Sequence, residues 1–204
     1  MASSSFLVSG ASEHAIAFAN IGLAGDCFQG QPWDKYKKRL LRQCTGLLQT
    51  EYCIGLCLNE VGSLDDPLTA EGKKNMEDLL RTALTEAGAT EHGKILWPRG
   101  KAETVSIWKP DVDIEVLPKK TKFMKTKNVW RQVDLFRVRL TATAHVLVMN
   151  QHQPSSGLRL FSSTARMMFT RKMVETGVAE HDANEYNVGY IFGGHANCLS
   201  LIHI

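Results

Sequence analysis

The chain has 204 residues, 44% of them hydrophobic and 22% charged, with a net charge of +3. That composition fits one globular domain with a sizeable core, and no apolar run approaches the ~20 residues of a membrane-spanning helix. Residues 1–11 lack the basic start and apolar block of a secretory leader. Cys27, Cys44, Cys53, Cys57 and Cys198 stand in apolar settings with no second pair at zinc spacing, so the expectation is reduced thiols in an intracellular protein, cytoplasmic or nuclear.

Residues 1–13 are small and polar and predict a disordered N-terminus. His14–Gly22 then reads as a strand, with Ile16 and Phe18 on one face, Ala15, Ala17 and Ala19 on the other, and Asn20 near its end. After a Gly/Pro loop, Trp33, Tyr36, Leu40, Leu41, Cys44, Leu47 and Leu48 follow helical spacing, with lysines and arginines opposite. Tyr52–Asn59 is apolar on both faces, the pattern of a central strand covered on two sides. It runs straight into Glu60. A second helix, capped at Thr69, carries a stripe of Met76, Leu79, Leu80, Ala83, Leu84 and Ala87, and Gly88 stands where a C-terminal cap wants a left-handed residue.

Strand, helix, strand, helix at these spacings argues for an α/β fold. Short strands follow at 94–98, 103–109, 112–117 and 129–140, joined by Pro, Gly and Lys turns. His145–Asn150 is again apolar on both faces and leads into Gln151-His152-Gln153-Pro154. A third helix is predicted over 158–176, with Leu160, Phe161, Thr164, Met167, Met168, Arg171 and Val174 inward and Gly177 closing it. Val188–Phe192 is the last strand, ending in Gly193-Gly194-His195-Ala196-Asn197. No repeat, coiled coil or clear oligomerisation signal is present.

Charge is uneven. Residues 119–139 hold eight basic side chains, among them Lys119, Lys120, Lys122, Lys125, Lys127 and Arg131, against the single acid Asp134. Such a block is either a solvated hairpin tip or a track for a polyanion. The strand ends are the second uneven feature: Asn20, Glu60, Asn150 with His152, and His195 with Asn197 all follow apolar runs. Open α/β sheets place their chemistry at the carboxyl ends of strands. Glu60 is either the first polar residue of a surface turn or a half-buried carboxylate that a cation neutralises. A strand-end histidine taken singly is an ordinary surface residue.

The order of these segments resembles the endonuclease/exonuclease/phosphatase superfamily, the DNase I-like metal-dependent phosphodiesterases. Ala17-Phe18-Ala19-Asn20 is similar to that family's first motif, Leu58-Asn59-Glu60-Val61 to its metal-binding segment, Val146–His152 to its Asn-x-His strand end, and Gly194-His195-Ala196-Asn197 to its Gly-Asp-x-Asn. The resemblance spans residues 14–197. It implies a four-layer α-β-β-α sandwich and a Mg²⁺ cofactor held by Glu60, with Asn20 and Asn197 placing metal-bound water or phosphate through their amides. It further implies His152 on the scissile phosphate, Asn150 and His195 in the catalytic set, and Lys119, Lys120, Lys122, Lys125, Lys127 and Arg131 along the substrate phosphates. The partner is then a nucleic acid or another phosphodiester: DNA, RNA, phosphoinositides and sphingomyelin are all cleaved on related folds.

Two departures qualify it. His195 stands where the family carries Asp, and the family's terminal Asp-His pair has no counterpart before the chain ends; residues 199–204 read as a non-native tail. The expectation is therefore a partial domain over residues 14–198 lacking C-terminal strands, inactive by itself, with apolar side chains such as Val146, Val148 and Phe192 left uncovered. Two other readings stay open: a degenerate module that binds nucleic acid or protein without cleaving, and a plain α/β interaction domain.

Overall fold

The computed structural model of the chain describes residues 4–8, 14–23, 25–62, 68–89, 92–97, 104–117, 122–126, 129–142, 144–152, 171, 175, 179 and 190–195, of which 4–8, 122–126, 129–133, 151–152 and 190–195 by backbone alone. The chain divides into two compact units, Met1–Asp113 and Ile114–Ile204. Each is built on one mixed sheet.

In the first unit the strands are β1 (Ser4–Val8), β2 (His14–Leu23), β3 (Cys53–Val61), β4 (Lys94–Leu96) and β5 (Thr104–Trp108), in the spatial order β1-β2-β3-β5-β4. β3 is the middle strand, as its two apolar faces predict. It runs parallel to β2 and antiparallel to β5. Ala17, Leu56, Leu58, Val105 and Ile107 face the helices, and Ile16, Phe18, Cys57 and Trp108 are buried on the other face. Gly55 is required there, since a Cβ at that position would overlap the Trp108 ring. Two expectations are corrected. Ser4–Val8 is not disordered but pairs with His14–Phe18 as β1, because the open backbone of an edge strand can recruit a short segment whatever its composition. Tyr52 is not the first strand residue; it holds a left-handed turn at φ 60° and β3 begins at Cys53.

Helix α1 (Gly30–Leu48) links β2 to β3, and α2 (Ala70–Glu86) follows β3. Trp33, Leu40, Cys44 and Leu48 of α1 pack with Met76, Leu79, Leu80, Ala83 and Leu84 of α2 against the sheet. The cap at Thr69 is as predicted: its hydroxyl accepts the Gly72 N–H at 3.0 Å. At the other end Gly88 has φ 83°, with Ala89 N–H donating to Leu84 O at 3.1 Å and Gly88 N–H to Thr85 O at 3.0 Å, the paired bonds of a Schellman cap. A 3₁₀ turn at Gly25–Phe28 follows β2, and Asn75 Nδ2 donates to Phe28 O at 2.8 Å, tying the loop to α2.

The second unit has β6 (Asp113–Val116), β7 (Lys122–Thr126), β8 (Val129–Arg139), β9 (His145–His152) and β10 (Tyr190–His195), ordered β10-β9-β8-β6, with β7 paired to the first half of β8. The basic block thus contains a hairpin, whose strand β7 was hidden in the sequence by its lysines. β9 and β10 are parallel, and β8 and β9 antiparallel. Leu135, Phe136, Val146, Leu147, Val148 and Met149 are all buried. The expectation of a bare apolar face is corrected at Val146 (1% exposed) and Val148 (0%): adjacent residues of β9 point to opposite faces, and both faces are covered. Phe192 lies outside the described side chains. Arg171, expected inward, is exposed and pairs with Glu175 at 2.8 Å, an (i, i+4) contact along the outer side of a helix. Ala179 is helical too, and the predicted stop at Gly177 lies outside the described residues. The rest of the third helix lies outside the described residues.

Candidate metal and phosphate site

The carboxyl ends of β2 and β3 lie side by side, with Asn20 opposite Asn59. Beyond this pair the register shifts before Leu23 meets Val61. Asn20 makes the shift possible: its Oδ1 accepts the Gly22 N–H at 2.9 Å, a local turn that asparagine side chains favour. Gly22 has φ 58°, which glycine adopts without penalty. The backbone closes again where Gly62 N–H donates to Leu23 O at 3.0 Å.

Glu60 sits within this irregularity, half-buried, with φ 56°. An L-residue with a Cβ reaches that conformation at a cost of ~1–2 kcal/mol, and non-glycine residues held there cluster at functional sites. A Cβ placed on Gly22 would lie 3.4 Å from Glu60 Oε2 and 3.9 Å from Asn20 Oδ1. Two side-chain oxygens, one carboxylate and one amide, therefore lie within 4 Å of that position, above a residue with no side chain. The donor set is hard, all oxygen, and suits Mg²⁺, which takes one or two carboxylates and keeps several waters. Among the described residues no three His, Cys, Asp or Glu side chains gather as a larger metal group.

In the second unit, Asn150 is buried and lies in register with Asp134 of β8 on one side and Gly193 of β10 on the other. His152 and His195 are register partners at the ends of two parallel strands. The structure thus groups the predicted residues in two sets: Asn20 with Glu60 in the first unit, and Asn150, His152 and His195 in the second. Lys122 and Lys125 fall on β7, and Arg131 on β8 opposite Met124. Asn197, Lys119, Lys120 and Lys127 lie outside the described residues.

Sequence reasoning missed two members of these sets. Gly22 follows Asn20 by two positions, and an Asn-x-Gly at a strand end is a turn signal that marks it. Asp134 is 0% exposed, although in sequence it is only the one acid of a basic run. Its signal is its place between Val133 and Leu135 in an apolar strand, where a carboxylate is buried only with a partner. Desolvation pushes the Cys44 thiol up to about 12 and raises Cys53, with a backbone hydrogen bond from Gly55 partly opposing. Neither supplies the thiolate that attack or metal binding needs at neutral pH.

No family model matches the sequence, and no curated protein matches it. Solved structures do match the fold. The selenomethionine form of TDP2 from Caenorhabditis elegans is similar over 88% of this chain and 47% of that one, at 15% identity and TM-score 0.51. A second structure of C. elegans TDP2 covers the same shares at 15% identity and TM-score 0.50. ANGEL2, described as a 2',3'-cyclic phosphatase, is similar over 87% of this chain and 51% of that one, at 12% identity and TM-score 0.50. The chain spans about half the length of the structures it matches. TDP2 and ANGEL2 both belong to the endonuclease/exonuclease/phosphatase superfamily, and it is the DNase I-like fold of that superfamily that this chain adopts.

Proposed function

We propose that the chain carries metal-binding and phosphate-binding strands of a Mg²⁺-dependent phosphodiester hydrolase. The observation behind this reading is the left-handed Glu60, whose carboxylate oxygen and the Asn20 amide oxygen surround Gly22. A bound Mg²⁺ neutralises non-bridging phosphate oxygens and lowers the pKa of water. Glu60 and Asn20 hold the cation. His152 contacts the scissile phosphate, Asn20 and Asn197 place metal-bound water or phosphate through their amides, Asn150 belongs to the catalytic set, and Lys119, Lys120, Lys122, Lys125, Lys127 and Arg131 follow the flanking phosphates. ANGEL2, described as a 2',3'-cyclic phosphatase, supports this reading as a fold relative.

Calorimetric titration with Mg²⁺ tests it. Glu60→Gln keeps size and hydrogen bonding but removes the charge, so affinity falls while the thermal melt stays in place. Equal affinity in both proteins overturns the assignment. His195 favours a second reading, a degenerate module that binds phosphodiesters without cleaving them, because neutral imidazole offers one acceptor nitrogen where Asp offers two charged oxygens. His195→Asp separates the two. In a chain that carries the whole family domain, a hydrolase gains about 10²–10⁴-fold in the rate on a phosphodiester as general-base help returns, whereas a binding module stays inert.

A further inference from the structure

The outer face of α1 has no role in the reading above, and its charge is unusual for its surroundings. α1 exposes Lys35, Lys37, Lys38, Arg39 and Arg42 against one acid, Asp34. The neighbouring α2 carries Lys73, Lys74 and Arg81 against Glu71, Glu77, Asp78 and Glu86. At 100° per residue, Lys35, Lys38, Arg39 and Arg42 fall within an arc of about 100°, diametrically opposite Trp33, Leu40 and Cys44 of the core. None of the four pairs with a carboxylate among the described residues. Lys35 Nζ and Arg39 Cζ instead rest on the Tyr36 ring, at 5.6 and 5.5 Å from its centre, which holds two of the cations in place. The row leads toward the candidate site: Arg42 lines a cavity of about 290 Å³ whose wall also includes Asn20, Ile21, Leu40 and Leu58.

We propose that this row is a second nucleic-acid surface, a phosphate track along α1 that ends at the cavity beside Asn20. Lys35 to Arg42 spans ~10 Å along the helix axis, about three phosphates at the 3.4 Å rise of one strand. An anionic membrane is the other partner a basic helix suggests. It fits less well, because the apolar stripe that would enter the bilayer is buried in the core. The surface concerns binding and does not depend on whether the chain cleaves.

The test is the salt dependence of affinity for a labelled single-stranded oligonucleotide, measured in EDTA. Replacing Lys35, Lys38, Arg39 and Arg42 together by Gln, itself a good helix former, should weaken binding and make the slope of log K against log salt shallower by about 2, at ~0.7 for each of about three phosphates. The pair Lys38→Gln and Arg42→Gln, which leaves the Tyr36 contacts intact, should give about half that change. Lys73→Gln with Lys74→Gln on α2 should leave the slope as it is. Unchanged affinity and slope in the quadruple variant overturn the proposal, as does an equal loss from the α2 pair. It is also overturned if the variant loses binding to phosphatidylserine vesicles while its oligonucleotide affinity stays intact.

Discussion

Position 60 allows the site geometry to be tested through stability alone. Glu60→Ala and Glu60→Gly both remove the carboxylate, so any contact it makes is lost equally, and the two variants differ only by a Cβ at φ 56°. At an ordinary strand position Gly is weaker than Ala by about 0.5–1 kcal/mol, because the unfolded chain gains freedom. In the left-handed region the Cβ costs ~1–2 kcal/mol. The sum reverses the order: Glu60→Gly should be more stable than Glu60→Ala by about 0.5–1 kcal/mol. For a chain of this size that is a melting-temperature difference of roughly 1–4 °C. Urea unfolding of the pair measures it, with equal m-values as the check that both unfold to the same state. Both variants should share the same weakened Mg²⁺ binding. If Gly proves less stable than Ala, the backbone at 60 is ordinary strand, and the strained placement of the carboxylate beside Gly22 is wrong.

Gly55→Ala should destabilise by about 1–3 kcal/mol, since the new methyl overlaps the buried Trp108 ring and neither side can give way without moving the sheet; a near-neutral melt would contradict that packing. Asn20→Ala should cost about 0.5–1.5 kcal/mol through loss of the 2.9 Å bond to Gly22 N–H, and should also lower Mg²⁺ affinity, which an isolated turn defect would not do. Alkali should unfold the chain through its buried thiols. Cys44 is raised from 9.0 to about 12, so unfolded chains release this proton first; its contribution is fully present below pH 9 and is lost between about pH 9 and 12. The slope is at most about 1.4 kcal/mol per pH unit. Cys44→Ser should flatten that part of the pH–stability curve, and an unchanged curve would rule the thiol out as its cause.

The sequence by itself determined the elements whose signals are local. The 3.6-residue period of Trp33–Leu48 and of Met76–Ala87, the Thr69 cap, the left-handed Gly88 and the two-faced apolar runs around Leu56 and Val148 each need only a few neighbouring residues to be legible. Because polar residues that follow such runs fall at strand ends, Asn20, Glu60, Asn150, His152 and His195 were legible as candidates too. The tertiary structure decided what depends on partners distant in the chain. Ser4–Val8 becomes a strand only because the edge of β2 is open to it. Lys122–Thr126 becomes β7 only against Val129–Val133, where ladder hydrogen bonds outweigh a composition that reads as solvated turn. Asp134 is hidden because the part of β8 that carries it is buried together with Leu135 and Phe136. The left-handed Glu60 is the clearest case. Its conformation is unfavourable in the isolated segment and exists because β2 and β3 fall out of register after Asn20, a strain that local propensity argues against and that only the surrounding sheet can sustain.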